Sequence, residues 1–335
     1  MQRLKAGGAL GAAAGIALSA WLLHSYGAAR VFGLLRQAGW FGITAVIAFH
    51  FIQILFSALA WQVISGPTQP RPSLRDYMVL RWIREGVNNL LPVAQIGGEF
   101  VAASLLQGRG MALAPAIAGA VADLTMEMVT QIGFTLMGLG VLLHAGLGGG
   151  VTGAVVNGMI AASLLAGAFL AAQWLGLAAA IEAGLMRLGR LVGWAGTDKV
   201  TGLHKALMAC YRAPRRVLLA MAWQMVSWLL GTLEVCLALH FLGHDVGLGA
   251  GLAIESLGQA LKAVGFAIPG ALGVQEGGYV MVCSLFGLPP QVAIALSLMK
   301  RLREVVLGVP GIVAWRRMAA RQARTRGPAL AGAAE

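Results

Sequence analysis

Two stretches of this chain place helix-breaking residues and a carboxylate where the surrounding sequence is almost wholly apolar. The first, Leu91-Pro92-Val93-Ala94-Gln95-Ile96-Gly97-Gly98-Glu99-Phe100, continues apolar to Leu106. The second, Ile268-Pro269-Gly270-Ala271-Leu272-Gly273-Val274-Gln275-Glu276-Gly277-Gly278-Tyr279, continues to Phe286. In both, a proline precedes a glutamate by the same step, and the two copies stand apart by one constant offset of 177 residues (269 − 92 and 276 − 99). Irregular backbone at membrane depth persists only where protein buries it or water lines it. The pattern therefore predicts an all-α integral membrane protein: a polytopic helix bundle with an inverted repeat and two broken-helix, re-entrant-type hairpins.

Composition agrees. Only 11% of the residues are charged, against about 25% in soluble domains. Several apolar runs exceed the roughly 18 residues that mark a spanning helix, leaving room for about six to eight membrane elements and no soluble catalytic domain. The formal charge of +12 does not point to nucleic acid, because the Lys and Arg residues sit between apolar runs and at the termini, where cytoplasmic loops carry them. They are expected to set topology and to touch anionic membrane lipids. Cys210, Cys236 and Cys283 have no Cys-x-x-Cys spacing and are expected to pack, not to bridge or bind metal. Arg3 and Lys5 precede an apolar run, residues 7–23, that is expected to remain as an uncleaved first helix, its Gly7, Gly11 and Gly15 allowing close helix contact.

Apolar length and breaks place helices at residues 7–23, 40–64, 111–143, 151–174, 217–242 and 291–315, with broken segments at 76–106 and 249–286. Trp21, Trp40, Trp61, Trp174 and Trp315 fall near expected ends, as an aromatic belt would. Arg71 and Arg75, the run holding Arg187, Arg190, Lys199, Lys205, Arg212, Arg215 and Arg216, and the tail from Arg316 should be cytoplasmic, with both termini inside. Residues 144–150 and 243–247 carry no Lys or Arg and should face outward. Arg30 and Arg36 fit this scheme poorly. By parity, the hairpins enter from opposite faces, which makes residues 40–143 one half of an inverted repeat and 217–315 the other. Residues 175–216 form a basic, amphipathic cytoplasmic connector, and 316–335 a basic tail expected to be disordered.

The same offset sets Asp123 on Lys300 and Glu127 on Glu304. If a pseudo-twofold axis brings those faces together, Lys300 and Arg303 neutralise Asp123 and Glu127. The hairpin arms add Arg81, Arg84, Glu85 and Asn88 on one helical face, and Glu255, Gln259 and Lys262 on another. Glu99 and Glu276 have a second reading as charges at helix N-termini, the embedded pairs as structural ion pairs, and Arg81 and Arg84 as snorkelling residues. So many ionisable groups about two broken helices favour a hydrated or substrate-filled cavity. Pro92, Gly97, Gly98, Pro269, Gly270 and Gly273 would form the breaks. His240 and His244 have ligand spacing with only Asp245 near, so no metal is expected, and no cofactor-binding motif is present.

Glu85-Gly-x-Asn88-Asn-x-x-x-Pro92, Gly97-Gly98-Glu99 and Ile268-Pro269-Gly270-x-x-Gly273-x-x-Glu276 together resemble the lysylphosphatidylglycerol synthase transmembrane family, and within it the HpnL-type branch associated with hopanoid biosynthesis. The resemblance implies a multi-pass protein of a bacterial inner membrane that moves a lipid, or assists its movement, between leaflets. The aminoacyl transfer of the synthases resides in a separate cytosolic domain without a counterpart in this sequence, so it is not implied. Arg81, Arg84, Lys300 and Arg303 would then hold a phosphate or other polar head, while Glu99, Glu276, Asp123 and Glu127 balance that charge or carry a proton. An intramembrane lipid-modifying enzyme and a non-catalytic scaffold for lipid-biosynthesis enzymes are the alternatives.

Overall fold

The computed structural model describes residues 24–68, 71–91, 97–147, 201–264 and 271–331, with Trp21 and a few positions between 153 and 183. The described residues form helices and no strand: α1 (Ala28–Ser65), α2 (Leu74–Leu90), α3 (Gly97–Gln107), α4 (Leu113–His144), α5 (Leu203–Tyr211), α6 (Pro214–Phe241), α7 (Leu248–Val264), α8 (Val274–Leu285) and α9 (Pro290–Ala331). Of these, α1, α4 and α6 are long and apolar enough to cross a membrane. The chain is an all-α membrane protein.

Local chemistry explains the boundaries around the first break. α2 starts at a reciprocal cap, in which Ser73 Oγ accepts from the Asp76 N–H at 3.3 Å and Asp76 Oδ2 accepts from the Ser73 N–H at 2.9 Å. Asp76 also pairs with Arg109 at 2.6 Å, which ties the start of α2 to the turn after α3. Partial burial opposes its charge, but the Ser73 hydrogen bonds and the Arg109 guanidinium outweigh that and hold the Asp76 carboxyl below its ordinary range. α2 ends one residue before Leu91, which precedes Pro92, and the residue before a proline is turned away from helical geometry. Pro92, Pro269 and Gly270 lie outside the described residues. Gly97 and Gly98 open α3, and Gly98 lets it approach α2: a Cβ there would stand 2.5 Å from the Arg84 carbonyl oxygen. Gly273, at the start of α8, has φ 78°, a conformation that favours glycine.

Element starts follow the offset seen in the sequence, with α3 and α8 (274 − 97) and α4 and α9 (290 − 113) each 177 residues apart. Packing is reciprocal as well. α1 lies along α6, α2 packs on α9 while α7 packs on α4, and each short helix, α3 or α8, sits between its own arm and the long helix that follows. Two hydrophobic clusters result, one around Trp61, Tyr77 and Leu106, the other around Leu239, Tyr279 and Ile294. On α1 the second cluster takes Val31 to Val46 and the first takes Ala58 to Ile64; the polar residues of the next section fall between.

Several expectations change. α1 begins at Ala28, and the expected start at residue 40 marks a break at Gly39 instead, where φ is 63°. The tail expected to be disordered beyond residue 316 continues α9 as helix to Ala331, in a segment rich in the strong helix formers Ala and Arg. Trp61 is fully buried, stacked edge-on against Tyr77 at 5.2 Å, so it is no part of an interfacial belt. Within the connector, residues 203–211 form the packed helix α5. The expected helix at 7–23 apart from Trp21, most of that at 151–174, and most of the expected connector between 175 and 200 lie outside the described residues. Cys210 and Cys283 are buried and all three thiols are free, as packing residues should be.

Candidate functional site

The first arm and the helix after it build one charged cluster. Turns of α2 put Arg81 and Arg84 against α4. Arg84 donates from Nε to Glu99 at 2.9 Å, from Nη1 to Asp123 at 2.5 Å and from Nη2 to Glu127 at 2.6 Å. Its ring neighbour is Trp61, with the guanidinium 5.8 Å from the ring centroid. Arg81 grips Glu127 through both terminal nitrogens, at 3.0 and 2.9 Å, and Glu85 through Nε at 3.1 Å. Asn88 closes the break: its Oδ1 accepts from the Gly98 N–H at 2.8 Å and its Nδ2 donates to Glu99 at 3.3 Å. The first hairpin is thus held to α4 by side-chain chemistry, with charge-assisted bonds replacing the water that these groups lose on burial.

The second cluster is made differently. Lys300 on α9 donates to Glu255 on α7 at 2.5 Å, and Glu255 also accepts from Tyr279 Oη at 3.1 Å and Gln259 at 2.9 Å. Lys262 donates to Glu304 at 2.6 Å, and Arg303 pairs with Glu234 on α6. Glu276 accepts from the Gly273 N–H at 2.7 Å, which is the helix-capping role, and it is also held by Arg301 and by Ser297 Oγ at 3.4 Å. In the first hairpin the guanidinium on the glutamate comes from the arm, as Arg84; in the second it comes from the long helix, as Arg301. At the constant offset Arg84 falls on Leu261, and Leu124 on Arg301. The cation has changed helices between the two.

The expected contact between Asp123 and Lys300 does not form. Asp123 is held by Arg84 and, at 3.5 Å, by Arg81; Lys300 is held by Glu255. Each acid layer is neutralised from its own hairpin, because a residue and its offset partner occupy equivalent places and need not be neighbours. Lys300 and Glu255 side chains are both 3% exposed. Lys300→Ala should therefore lower stability by about 3–5 kcal/mol, the cost of leaving a buried charge alone, in denaturant unfolding of the purified protein in detergent. Adding Glu255→Ala should recover part of that loss, and adding Asp123→Ala should recover none. The reverse pattern would restore the contact that the sequence suggested.

Between the clusters lies a cavity of about 420 Å³. Of the residues singled out from sequence, Arg81, Arg84, Glu85, Asn88, Glu99, Glu127, Glu255, Gln259, Lys262, Arg303 and Glu304 line it. Asp123, Lys300 and Glu276 stand behind that wall and hold its members or the second hairpin. The cations expected to be available for a phosphate, Arg81, Arg84, Lys300 and Arg303, are all paired with carboxylates. Across the two clusters, eight carboxylates (Glu85, Glu99, Asp123, Glu127, Glu234, Glu255, Glu276 and Glu304) face six cations (Arg81, Arg84, Lys262, Lys300, Arg301 and Arg303).

Sequence reasoning missed four residues here. His50 and Gln53 line the cavity from α1; His50 bridges Glu85 and Glu234, and Gln53 donates to Glu234 at 2.5 Å. Glu234 and Arg301 are the other two. A signal existed for His50 and Glu234: His50 is the one ionisable group of residues 40–64 and Glu234 the one carboxylate of residues 217–242, and an ionisable group in an apolar span is a functional-site indication by itself. No metal-ligand cluster occurs among the described residues, and His240 pairs with Asp245 at 2.7 Å.

Apolar helices gathered around a buried, charged cavity define an integral membrane protein with an interior polar site. The chain belongs to the family described as the lysylphosphatidylglycerol synthase TM region, whose model matches residues 8–311. It is accordingly a membrane protein of lipid biosynthesis or transport. No curated protein and no solved structure matches it.

Proposed function

We propose that this protein moves a lipid between membrane leaflets without altering it chemically, the polar head passing through the cavity while the apolar body stays in the bilayer. The cavity carries the reading: its volume of about 420 Å³ falls in the range of about 300–1,000 Å³ of small-molecule pockets, and ionisable groups at such depth mark substrate and ion pathways. An inverted repeat of residues 40–143 and 217–315 is supported by the common offset of α3 with α8 and of α4 with α9, and by the reciprocal packing of α2 on α9 and α7 on α4. Transporters use such repeats for alternating access about a central site. The Lys and Arg distribution favours both termini on the cytoplasmic side, with anionic lipids around the basic loops; the family supports a bacterial inner membrane as the location and lipid-biosynthesis enzymes as suppliers of the cargo.

The lining narrows the cargo. Its cations Arg81, Arg84, Lys262 and Arg303 are all paired with carboxylates, so the cavity favours a head that donates hydrogen bonds, through hydroxyl or amine groups, over a bare phosphate. Polar hopanoid derivatives meet that requirement. Liposomes containing the purified protein and headgroup-labelled fluorescent lipids should exchange a hydroxylated or amine-headed lipid between leaflets at least about tenfold faster than protein-free liposomes, a margin of about 1.4 kcal/mol, with unchanged lipid mass. A change in mass would replace transport with an intramembrane enzyme, and no exchange together with no change would leave a scaffold.

A further inference from the structure

His50 lies where α1, α2 and α6 meet, and both of its ring nitrogens face carboxylate oxygens. Nε2 is 3.1 Å from Glu85 Oε2, and Nδ1 is 3.1 Å from Glu234 Oε2. A neutral imidazole has one N–H and one lone pair, and an ionised carboxylate only accepts. A neutral ring would therefore set a lone pair against one of the two carboxylates; a doubly protonated ring donates to both. We infer that His50, Glu85 and Glu234 form a proton-binding site in the cavity wall, with an imidazolium latching α2 and α6 together through α1.

Charged groups surround the ring on every packed side. Glu85 brings Arg81 with it on α2, and Glu234 brings Arg303 from α9, whose positive charge opposes the imidazolium. Glu304, next to Arg303 on α9, is neutralised by Lys262 of α7, and the lining carboxylate of α4, Glu127, is taken by Arg81 and Arg84. Burial and Arg303 disfavour a charge on the ring, and the two carboxylates in direct contact with it favour that charge.

Packing alone does not require an ionisable group here. At the offset that relates the two halves of the sequence, His50 falls on Ser227 and Ser57 on Glu234. Ser57 and Ser227 make the equivalent contact between α1 and α6, a hydrogen bond of 2.9 Å. One interhelical contact is therefore built twice, once from two serines and once from a histidine and a glutamate.

Loss of the proton has a direction. Glu234 is 1% exposed, so water cannot reach it in place of the ring. Glu85 is 25% exposed and borders the cavity. The Nε2–H bond breaks, its electron pair stays on nitrogen, and the proton passes to the Glu85 carboxylate and on to cavity water. The neutral ring keeps its Nδ1–H on Glu234, and Glu85 is released. The latch is closed at low pH and opens as pH rises.

What the proton drives rests on the transport reading; the site itself does not. Protein carrying ¹⁵N-labelled histidine in lipid nanodiscs is the test. The His50 signals are assigned by His50→Gln or, should that variant not fold, by removing the other five of the six histidines. At about pH 7.5 His50 should show both nitrogens protonated, and further alkalinisation should leave the Nδ1–H form. A neutral His50 at that pH, or an Nε2–H form after titration, overturns the assignment even if lipid exchange is normal. Absent lipid exchange beside an imidazolium His50 would instead remove the transport reading and leave the proton site standing.

Discussion

Arg84→Ala is expected to lose about 3–5 kcal/mol of stability, the cost of removing one partner from a buried ion pair. Three carboxylates share that guanidinium. Glu127 keeps Arg81, Glu99 keeps only the amide of Asn88, and Asp123, fully buried, keeps Arg81 alone at 3.5 Å. The variant also leaves the face of Trp61 without its cation. Arg84→Lys should recover only a minor part, since an ammonium cannot reproduce three N–H bonds to three separate carboxylates in one plane. Unfolding in detergent, read by circular dichroism, gives the comparison. Arg84→Ala within 1 kcal/mol of wild type, roughly the worth of an exposed pair, would mean that Arg84 is hydrated and has the snorkelling role that the sequence also allowed.

The first charged cluster was legible in the sequence because a polar side chain on an apolar helix must turn inward. Arg81, Arg84, Glu85, Asn88, Glu99, Asp123 and Glu127 are spaced along three segments so that one inward face collects them, and that is where they lie. Partner choice was not legible. The offset joining Asp123 to Lys300 reports equivalent positions in two halves, whereas contact depends on how each arm leans, and both residues turn to their own arm. His50 and Glu234 are 184 positions apart in the chain, the one ionisable residue of 40–64 and the one carboxylate of 217–242, so spacing rules had nothing to pair. Trp61 reads as interfacial because it ends an apolar run, but Tyr77 covers it. The break at Gly39 was legible as an end and illegible as an interruption, since the residues before it are helical too.

Glu99 and Glu276 are counterparts by offset, yet their surroundings predict opposite consequences for the same substitution. Glu99 lines the cavity, and in Glu99→Gln the side-chain carbonyl can still accept from Arg84, which keeps Asp123 and Glu127 as well. Folding should change by only about 1 kcal/mol, the worth of one hydrogen bond. The lost charge faces the path of the lipid head. A charge-assisted hydrogen bond contributes about 1.5–3 kcal/mol, so lipid exchange should fall at least about tenfold. Glu276 is 3% exposed, lies off the cavity, and uses both oxygens: Oε2 accepts from the Gly273 N–H and Arg301, and Oε1 from Arg301 and Ser297. An amide can supply one of those oxygens but not both, and it removes the negative charge that two Arg301 N–H groups face. Glu276→Gln should therefore cost about 3 kcal/mol in stability while exchange per folded molecule stays near wild type. Liposome exchange normalised to folded protein, with unfolding measured on the same preparations, separates the two effects. Equal transport losses at both glutamates would make the second hairpin part of the path; normal exchange in Glu99→Gln would take the first hairpin's carboxylate out of it.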